Sequence, residues 1–242
     1  MRCAAVLTAA GSGTRLGHAL PKALVPLAGT PLVVHAARGL AASGVVDGVV
    51  VTCPDGHRDQ VRDLFPGGRV PGSDVPVEVV TGGPTRQASV AAGLAALDDV
   101  APGAGLVLVH DAARCLAGPA LVRRVVAALE AGSRAVVPGV PVTDTVKRVV
   151  ALPGGGEAVV ETPDRAALRA VQTPQGFTRD LLERAHRAAA DRAGSERTAV
   201  SDDAGLVELL GEQVHLVPGE DAALKITTPA DLDRAERLLG RS

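Results

Sequence analysis

Apolar positions along the chain fall into two textures. Short unbroken Val/Leu/Ala runs, bounded by Gly, Pro or Asp, occupy Arg2–Thr8, Gly48–Cys53, Val75–Thr81, Gly105–His110 and Arg134–Pro138, and runs of this kind predict strands covered on both faces. Between them, longer segments repeat apolar residues at helical spacing: Pro31–Ser43, Asp55–Leu64, Arg86–Leu97 and Pro119–Ala131. This alternation predicts an α/β fold with a mainly parallel sheet flanked by helices. In such sheets ligands sit beyond the carboxyl ends of the strands, so the residues just after each strand carry the most information.

The alternation breaks after Pro138. Residues 141–150 and 157–162, separated by ALPGGG, read as a β-hairpin with a glycine-rich turn, projecting from the sheet as an arm. Val142, Val146, Val149 and Val159 place apolar side chains along it. An isolated two-strand hairpin is marginal in water, so the arm is expected to need a partner surface. Helical patterns return at 177–190 and 201–210, followed by strands at Gln213–Val217 and Ala222–Ile226 and a helix from Pro229. The expected organisation is one domain over 1–242, with 139–162 as the arm.

Composition narrows the partners. The chain has 242 residues, 46% of them hydrophobic, enough to bury a sizeable core. With two Phe, no Tyr, no Trp and a formal net charge of −2, it lacks both the stacking platform and the basic footprint of a nucleic-acid binder. No segment approaches the roughly 18 consecutive apolar residues of a membrane span, and the expected location is the cytoplasm. Cys3, Cys53 and Cys115 are odd in number and have no C-x-x-C spacing, which argues against a disulfide framework or a zinc site.

Two segments carry chemistry. LTAAGSGTRLGHALPKAL, residues 7–24, follows the first predicted strand. Its small residues and glycines let backbone N–H groups approach an anion, and Arg15 and Lys22 add full charges to a nest for phosphates. The spacing is G-x-G-x-x-x-G, with Pro21 following, and neither G-x-G-x-x-G nor G-K-[ST] is present. In LVLVHDAARCL, residues 106–116, an apolar strand delivers Asp111 to its carboxyl end, where a carboxylate can hold Mg²⁺ beside triphosphate oxygens or cap the following loop. Lysine is scarce: of 25 basic residues only Lys22, Lys147 and Lys225 are lysines, and Lys22 and Lys225 fall in or near motif segments.

Taken together, AAGSGTRLG and PK (9–17, 21–22), GGPTRQASV (82–90), HDAAR (110–114), VTDTVKR (142–148), TPDR (162–165), QTPQ (172–175), SDDA (201–204) and LKIT (224–227) resemble, in order, the 2-C-methyl-D-erythritol 4-phosphate cytidylyltransferase family. Pro84 stands where an acidic residue is expected, and Cys115 where a proline usually follows HDAAR. The resemblance implies a Rossmann-like nucleotidyltransferase sheet and transfer of CMP from CTP to methylerythritol phosphate, with Mg²⁺ as cofactor. It implies that Arg15 and Lys22 stabilise the reacting α-phosphate and that Arg165 and Lys225 hold the substrate phosphate. It also implies nucleotide contacts from Ala9, Ala10, Gly11, Gly13, Gly82 and Ser89, the last two to the cytidine, a metal on Asp111, and substrate contacts from Asp111, Arg114 and Thr145. A homodimer in which the arms interlock and complete each other's sites is implied as well. A cytidylyltransferase for ribitol 5-phosphate or another polyol phosphate, a non-catalytic nucleotide sensor and a nicotinamide dehydrogenase remain as alternatives at this point.

Overall fold

The structure is a computed structural model and describes residues 1–11, 20–195 and 197–240. Its central sheet contains β1 (Cys3–Thr8), β4 (Gly48–Cys53), β5 (Val77–Thr81), β6 (Leu106–Asp111), β7 (Ala135–Pro141), β10 (Arg169–Val171), β11 (Gln175–Thr178) and β12 (His215–Pro218). β2 (Pro26–Leu27) and β3 (Thr30–Pro31) form a small separate ladder, and β8 (Arg148–Ala151) and β9 (Glu157–Glu161) form the arm hairpin. The helices are α1 (Leu32–Ala41), α2 (Arg58–Arg62), α3 (Arg86–Ala95), α4 (Leu97–Val100), α5 (Pro119–Glu130), α6 (Arg179–Ala188), α7 (Asp203–Leu209) and α8 (Pro229–Leu239).

The strand order is β10-β7-β11-β6-β1-β4-β5, with β12 also paired to β7. The contacts β1–β4, β1–β6, β4–β5 and β7–β12 are parallel, whereas β11 and β10 run antiparallel to their neighbours. Side chains alternate across the sheet: Cys3, Ala5 and Leu7 of β1 enter the core beneath α1 and α5, while Ala4 and Val6 enter the core beneath α3 and α6. An unbroken apolar run is thus what a strand sandwiched between two helical layers requires. The chain moves from β1 outward through β4 and β5, then returns to the other side of β1 with β6. That reversal is the switch point at which an open α/β sheet forms its crevice.

Three expectations are corrected. Phe177 and Thr178, read as the start of a helix, belong to β11, which lies between β6 and β7. Phe177 and Leu181 are four apart and both fully buried, so the apolar period runs unbroken across the strand–helix junction and hides it. The strand expected at Ala222–Ile226 is a 3₁₀ turn at Asp221–Ala223 followed by irregular chain, tied down by the Ile226 N–H donating to Ala113 O. The hairpin pairs only Arg148–Ala151 with Glu157–Glu161, and residues 142–147 leading into it are irregular.

Candidate active site

Three strand ends meet at one cleft of about 580 Å³. β1 releases Ala9, Ala10 and Gly11, β5 releases Gly82, Gly83 and Pro84, and β6 ends on Asp111. Both glycine-bearing loops leave the sheet still joined to β4, through Ala9 N–H to Thr52 O and Gly82 N–H to Cys53 O, each 2.8 Å. A Cβ on Gly82 would stand 2.7 Å from both Ala10 Cβ and Ser89 Oγ, so only glycine lets these loops come together. The Ser89 hydroxyl accepts from Gly83 N–H at 3.1 Å and donates to Thr85 O at 2.8 Å, shaping the same turn. Thr85 caps α3 by accepting from Ala88 N–H at 3.0 Å, which aims the helix N-terminus and its Arg86 toward the cleft.

At the base of the cleft lies a chain of alternating charges. Lys225 Nζ is 2.7 Å from Asp111 Oδ2, and Arg86 Nε donates to Asp111 Oδ1 at 3.1 Å. The Arg86 Nη1 atom donates to Asp203 Oδ2 at 2.6 Å, and Asp203 Oδ1 is 2.8 Å from His186 Nε2. Burial by itself would raise the Asp111 pKa, but Arg86 and Lys225 outweigh it and hold the carboxyl well below the usual range. Asp203 behaves alike: burial raises its pKa, and Arg86 and His186 bring it below normal. Both acids are therefore ionised, and Arg86 is fixed between them. Its Nη2 atom is buried without a partner.

Among the residues expected from sequence, Ala9, Ala10, Gly11, Lys22, Ser89, Asp111 and Lys225 line the cleft, and Gly82 stands directly behind it. Gly13 and Arg15 lie outside the described residues. Arg114 lies on the far side of Asp111 in a smaller cavity of about 170 Å³. There its Nη1 and Nη2 donate to Ala223 O (2.8 Å) and Val171 O (3.1 Å). Thr145 and Arg165 are not brought to the cleft: both are exposed, and Arg165 Nη1 donates to Thr143 O at 2.7 Å. Pro84 lines the cleft. Cys115 is buried, its thiol pKa pushed up to about 12 by burial.

Arg86, Asp203 and His186 were assigned no role from the sequence. The first two sit in the quoted GGPTRQASV and SDDA segments, but Arg86 and Asp203 are 117 residues apart and their pairing is a matter of folding. His110 is 1% exposed, and burial pushes its pKa down to about 4, so it is a neutral core residue. No group of three or more His, Cys, Asp or Glu side chains able to hold a metal occurs among the described residues. Asp111 is the only acid lining the main cleft among them. One carboxylate suits Mg²⁺ that takes its remaining ligands from phosphates and water. Glycine-loop N–H groups, Lys22, Arg86 and Lys225 around one cleft make a cradle for a polyphosphate.

Comparison with known proteins agrees with this chemistry. The profile of the IspD family, 2-C-methyl-D-erythritol 4-phosphate cytidylyltransferase, matches residues 3–241. A protein of that description from Nocardia farcinica is 54% identical over 237 residues, covering 98% of this chain and 94% of its own. Another from Streptomyces avermitilis is 49% identical over 242 residues, covering 99% and 92%. The crystal structure of 2-C-methyl-D-erythritol 4-phosphate cytidylyltransferase from Thermus thermophilus superposes with a TM-score of 0.74 at 38% identity, covering 98% of each chain. That of 4-diphosphocytidyl-2C-methyl-D-erythritol synthase from Anaerococcus prevotii gives 0.80 at 29% identity, covering 99% of each.

Proposed function

This chain belongs to the 2-C-methyl-D-erythritol 4-phosphate cytidylyltransferase family, and on that premise we propose how its residues carry the reaction. The enzyme transfers CMP from CTP to 2-C-methyl-D-erythritol 4-phosphate in isoprenoid precursor synthesis, giving 4-diphosphocytidyl-2-C-methyl-D-erythritol and pyrophosphate. An oxygen of the substrate phosphate forms a bond to the α-phosphorus of CTP as the bond to the pyrophosphate oxygen breaks. With a second pKa of about 6, the attacking phosphate is mostly dianionic at neutral pH and needs no general base. The absence of any demand for a base suits a site where His110, next to Asp111, is buried and neutral.

The difficulty to be overcome is charge: a dianion must approach a triphosphate while more negative charge gathers on the α-phosphate and the leaving group. Fixed cations in a preorganised cleft answer both. Arg15 and Lys22 are assigned to the α-phosphate and Lys225 to the incoming substrate phosphate. The backbone at Ala9, Ala10, Gly11 and Gly13 holds the triphosphate, and Gly82 with the Ser89-braced turn receives the pyrimidine. Mg²⁺, when bound, would neutralise phosphate oxygens, and Asp111 is the residue that would hold it. Lys225, whose Nζ stands 2.7 Å from Asp111 Oδ2, would meet the substrate phosphate beside that carboxylate.

Thr145, Arg114 and Arg165 are assigned to the substrate, with Thr145 and Arg165 acting on the cleft of a second copy. The support is the exposed arm: Val149, Val150, Leu152, Val159 and Val160 are all solvent-facing, and a two-fold dimer with interlocked arms would cover them. The three buried, unpaired cysteines suit the reducing cytoplasm. No described helix is long and apolar enough to cross a membrane.

The observation that carries this reading is the Lys225–Asp111–Arg86 cluster in the cleft that Ala9, Ala10 and Gly11 also line. Pyrophosphate release is the test, with CTP offered against methylerythritol phosphate, ribitol 5-phosphate and erythritol phosphate, and with ATP and GTP as competing donors. Turnover is expected with CTP and methylerythritol phosphate. Comparable turnover with a purine triphosphate, or a preference for ribitol 5-phosphate, would overturn it.

A further inference from the structure

QTPQ, residues 172–175, contributes nothing to the lining of the main cleft, yet three of its side chains are almost fully buried directly behind it. Gln172 Nε2 donates to Glu220 O at 2.8 Å, while its Oε1 accepts from Glu220 N–H at 3.0 Å. One amide thus satisfies both polar groups of one backbone residue. A Cβ on Gly219 would collide with Gln172 Oε1, so the chain at 219–220 is pressed onto this amide. Five residues beyond Glu220 stands Lys225, whose ammonium meets Asp111.

Gln175 does the same for a different segment. Its Nε2 donates to Asp202 Oδ2 at 2.7 Å and its Oε1 accepts from Ala204 N–H at 3.2 Å. These two contacts flank Asp203, the acid that grips Arg86. Between the two glutamines, Thr173 Oγ1 accepts from the Asp111 N–H at 3.0 Å and is 2.9 Å from His110 Nδ1. A single four-residue segment therefore reaches Asp111 by three routes: through the strap carrying Lys225, through its own backbone, and through Asp203 and Arg86.

We propose that Gln172, Thr173 and Gln175 are positioning residues that fix Lys225, Asp111 and Arg86 relative to one another, with Gln172 acting through Lys225 and Gln175 acting through Arg86. The inference rests on the reading of Asp111 and Lys225 as groups that meet the reacting phosphates. Burying primary amides is costly unless every donor and acceptor is used, and apolar side chains would fill the same space without that demand. What an amide supplies and an apolar group does not is a donor and an acceptor in one fixed plane, which sets the position of a backbone segment in two directions at once.

The test is steady-state kinetics and thermal unfolding of the full chain carrying Gln172→Ala or Gln175→Ala, each alone and combined with Lys225→Arg or Arg86→Lys. Each glutamine variant is expected to lower kcat by about 10- to 100-fold, the scale of a displaced catalytic group, with much smaller change in the KM for CTP. The two effects should couple to different partners. Replacing Gln172 should add little in the Lys225→Arg background but act in full in the Arg86→Lys background, and Gln175 should show the reverse.

Additive losses in both backgrounds, losses confined to KM, or a fall in melting temperature with kcat intact would overturn the proposal. If an alanine variant does not fold, the isosteric Gln172→Glu and Gln175→Glu, which keep the shape and lose the donor, are read for the same crossed pattern. Should Lys225→Arg and Arg86→Lys themselves leave kcat unchanged, the assignment of the cleft groups fails and the proposal with it. Should those two lower kcat while neither glutamine variant does, the proposal alone fails.

Discussion

The carboxyl ends of β1, β5 and β6 and the arm around the hairpin β8–β9 carry residues proposed above for one reaction, yet they are held in opposite ways. In the cleft, Asp111 is 7% exposed and gripped by side chains from α3 and from the strap ahead of α8, and each of those grips is itself braced from deeper in the core. On the arm, Val159 is 59% exposed, and the polar contacts stay within the arm and its approaches, as in Lys147 Nζ to Thr162 Oγ1 at 2.7 Å and Arg165 to Thr143 O. A preorganised electrostatic site needs groups that cannot relax toward water, which the sheet interior provides. A two-strand ribbon has no interior of its own, so residues on it gain fixed positions only against another surface. Among the described residues the cleft is braced by its own chain, whereas the arm leaves Val149, Val150, Val159 and Val160 facing solvent, a surface the proposed dimer would cover.

The sharpest way to break this contrast is to remove cleft cations. Lys22→Ala and Lys225→Ala are each expected to lower kcat on the order of 10²–10³-fold, as for loss of one preorganised transition-state donor. A change confined to KM would mean that the lysine binds ground state and transition state equally, and its assignment would be wrong.

Next in size is the loss expected at the arm, read by complementation. Arg165→Ala and Lys22→Ala proteins, each nearly inactive alone, are mixed and allowed to exchange subunits. If the arm serves a neighbouring cleft, mixed dimers have one site with both residues intact and activity returns to a substantial fraction of the unmixed wild type. No recovery despite demonstrated exchange would assign Arg165 to its own chain's cleft and erase the contrast between the two regions.

The smallest effect concerns stability alone and belongs to the cleft side. Burial pushes the His110 pKa down to about 4, against about 6.5 in an unfolded chain, so the unfolded state takes up a proton first as pH falls. Its neutral, buried form contributes stability fully above about pH 6.5, and this is lost progressively down to about pH 4, by up to about 3 kcal/mol. Asp111 and Asp203, held below their ordinary range, contribute above that range and lose their contribution only at still lower pH. Thermal unfolding of wild type and His110→Gln from pH 7.5 to 4.5 should give a steeper fall for the wild type. Parallel profiles would show that the folded protein tolerates a charged His110.

Much of this molecule was legible along the chain. β4 was read to the residue, and α3 and α5 to within two residues at either end, because strands covered on both faces are continuously apolar and amphipathic helices keep a 3.6-residue period. The glycine loop, Lys22, Asp111 and Lys225 stood out by their place after strands or by the scarcity of lysine. Less legible were β10 and β11, short antiparallel strands whose pairing partners lie far off in sequence, and whose local pattern carries turn residues or runs on into a helix.

What local sequence alone determined was the menu: strands, helices, an arm, a phosphate loop and the few side chains with chemistry to offer. Only the tertiary structure decided that Arg86 is a half-buried bridge between Asp111 and Asp203, that Arg114 donates to the carbonyls of Ala223 and Val171, and that Gln172 and Gln175 clamp chain segments 48 and 29 residues away. The reason is physical: periodicity and propensity act over one or two turns of chain, whereas an ion pair or an amide clamp depends on which distant segments the buried sheet brings within about 3 Å of each other.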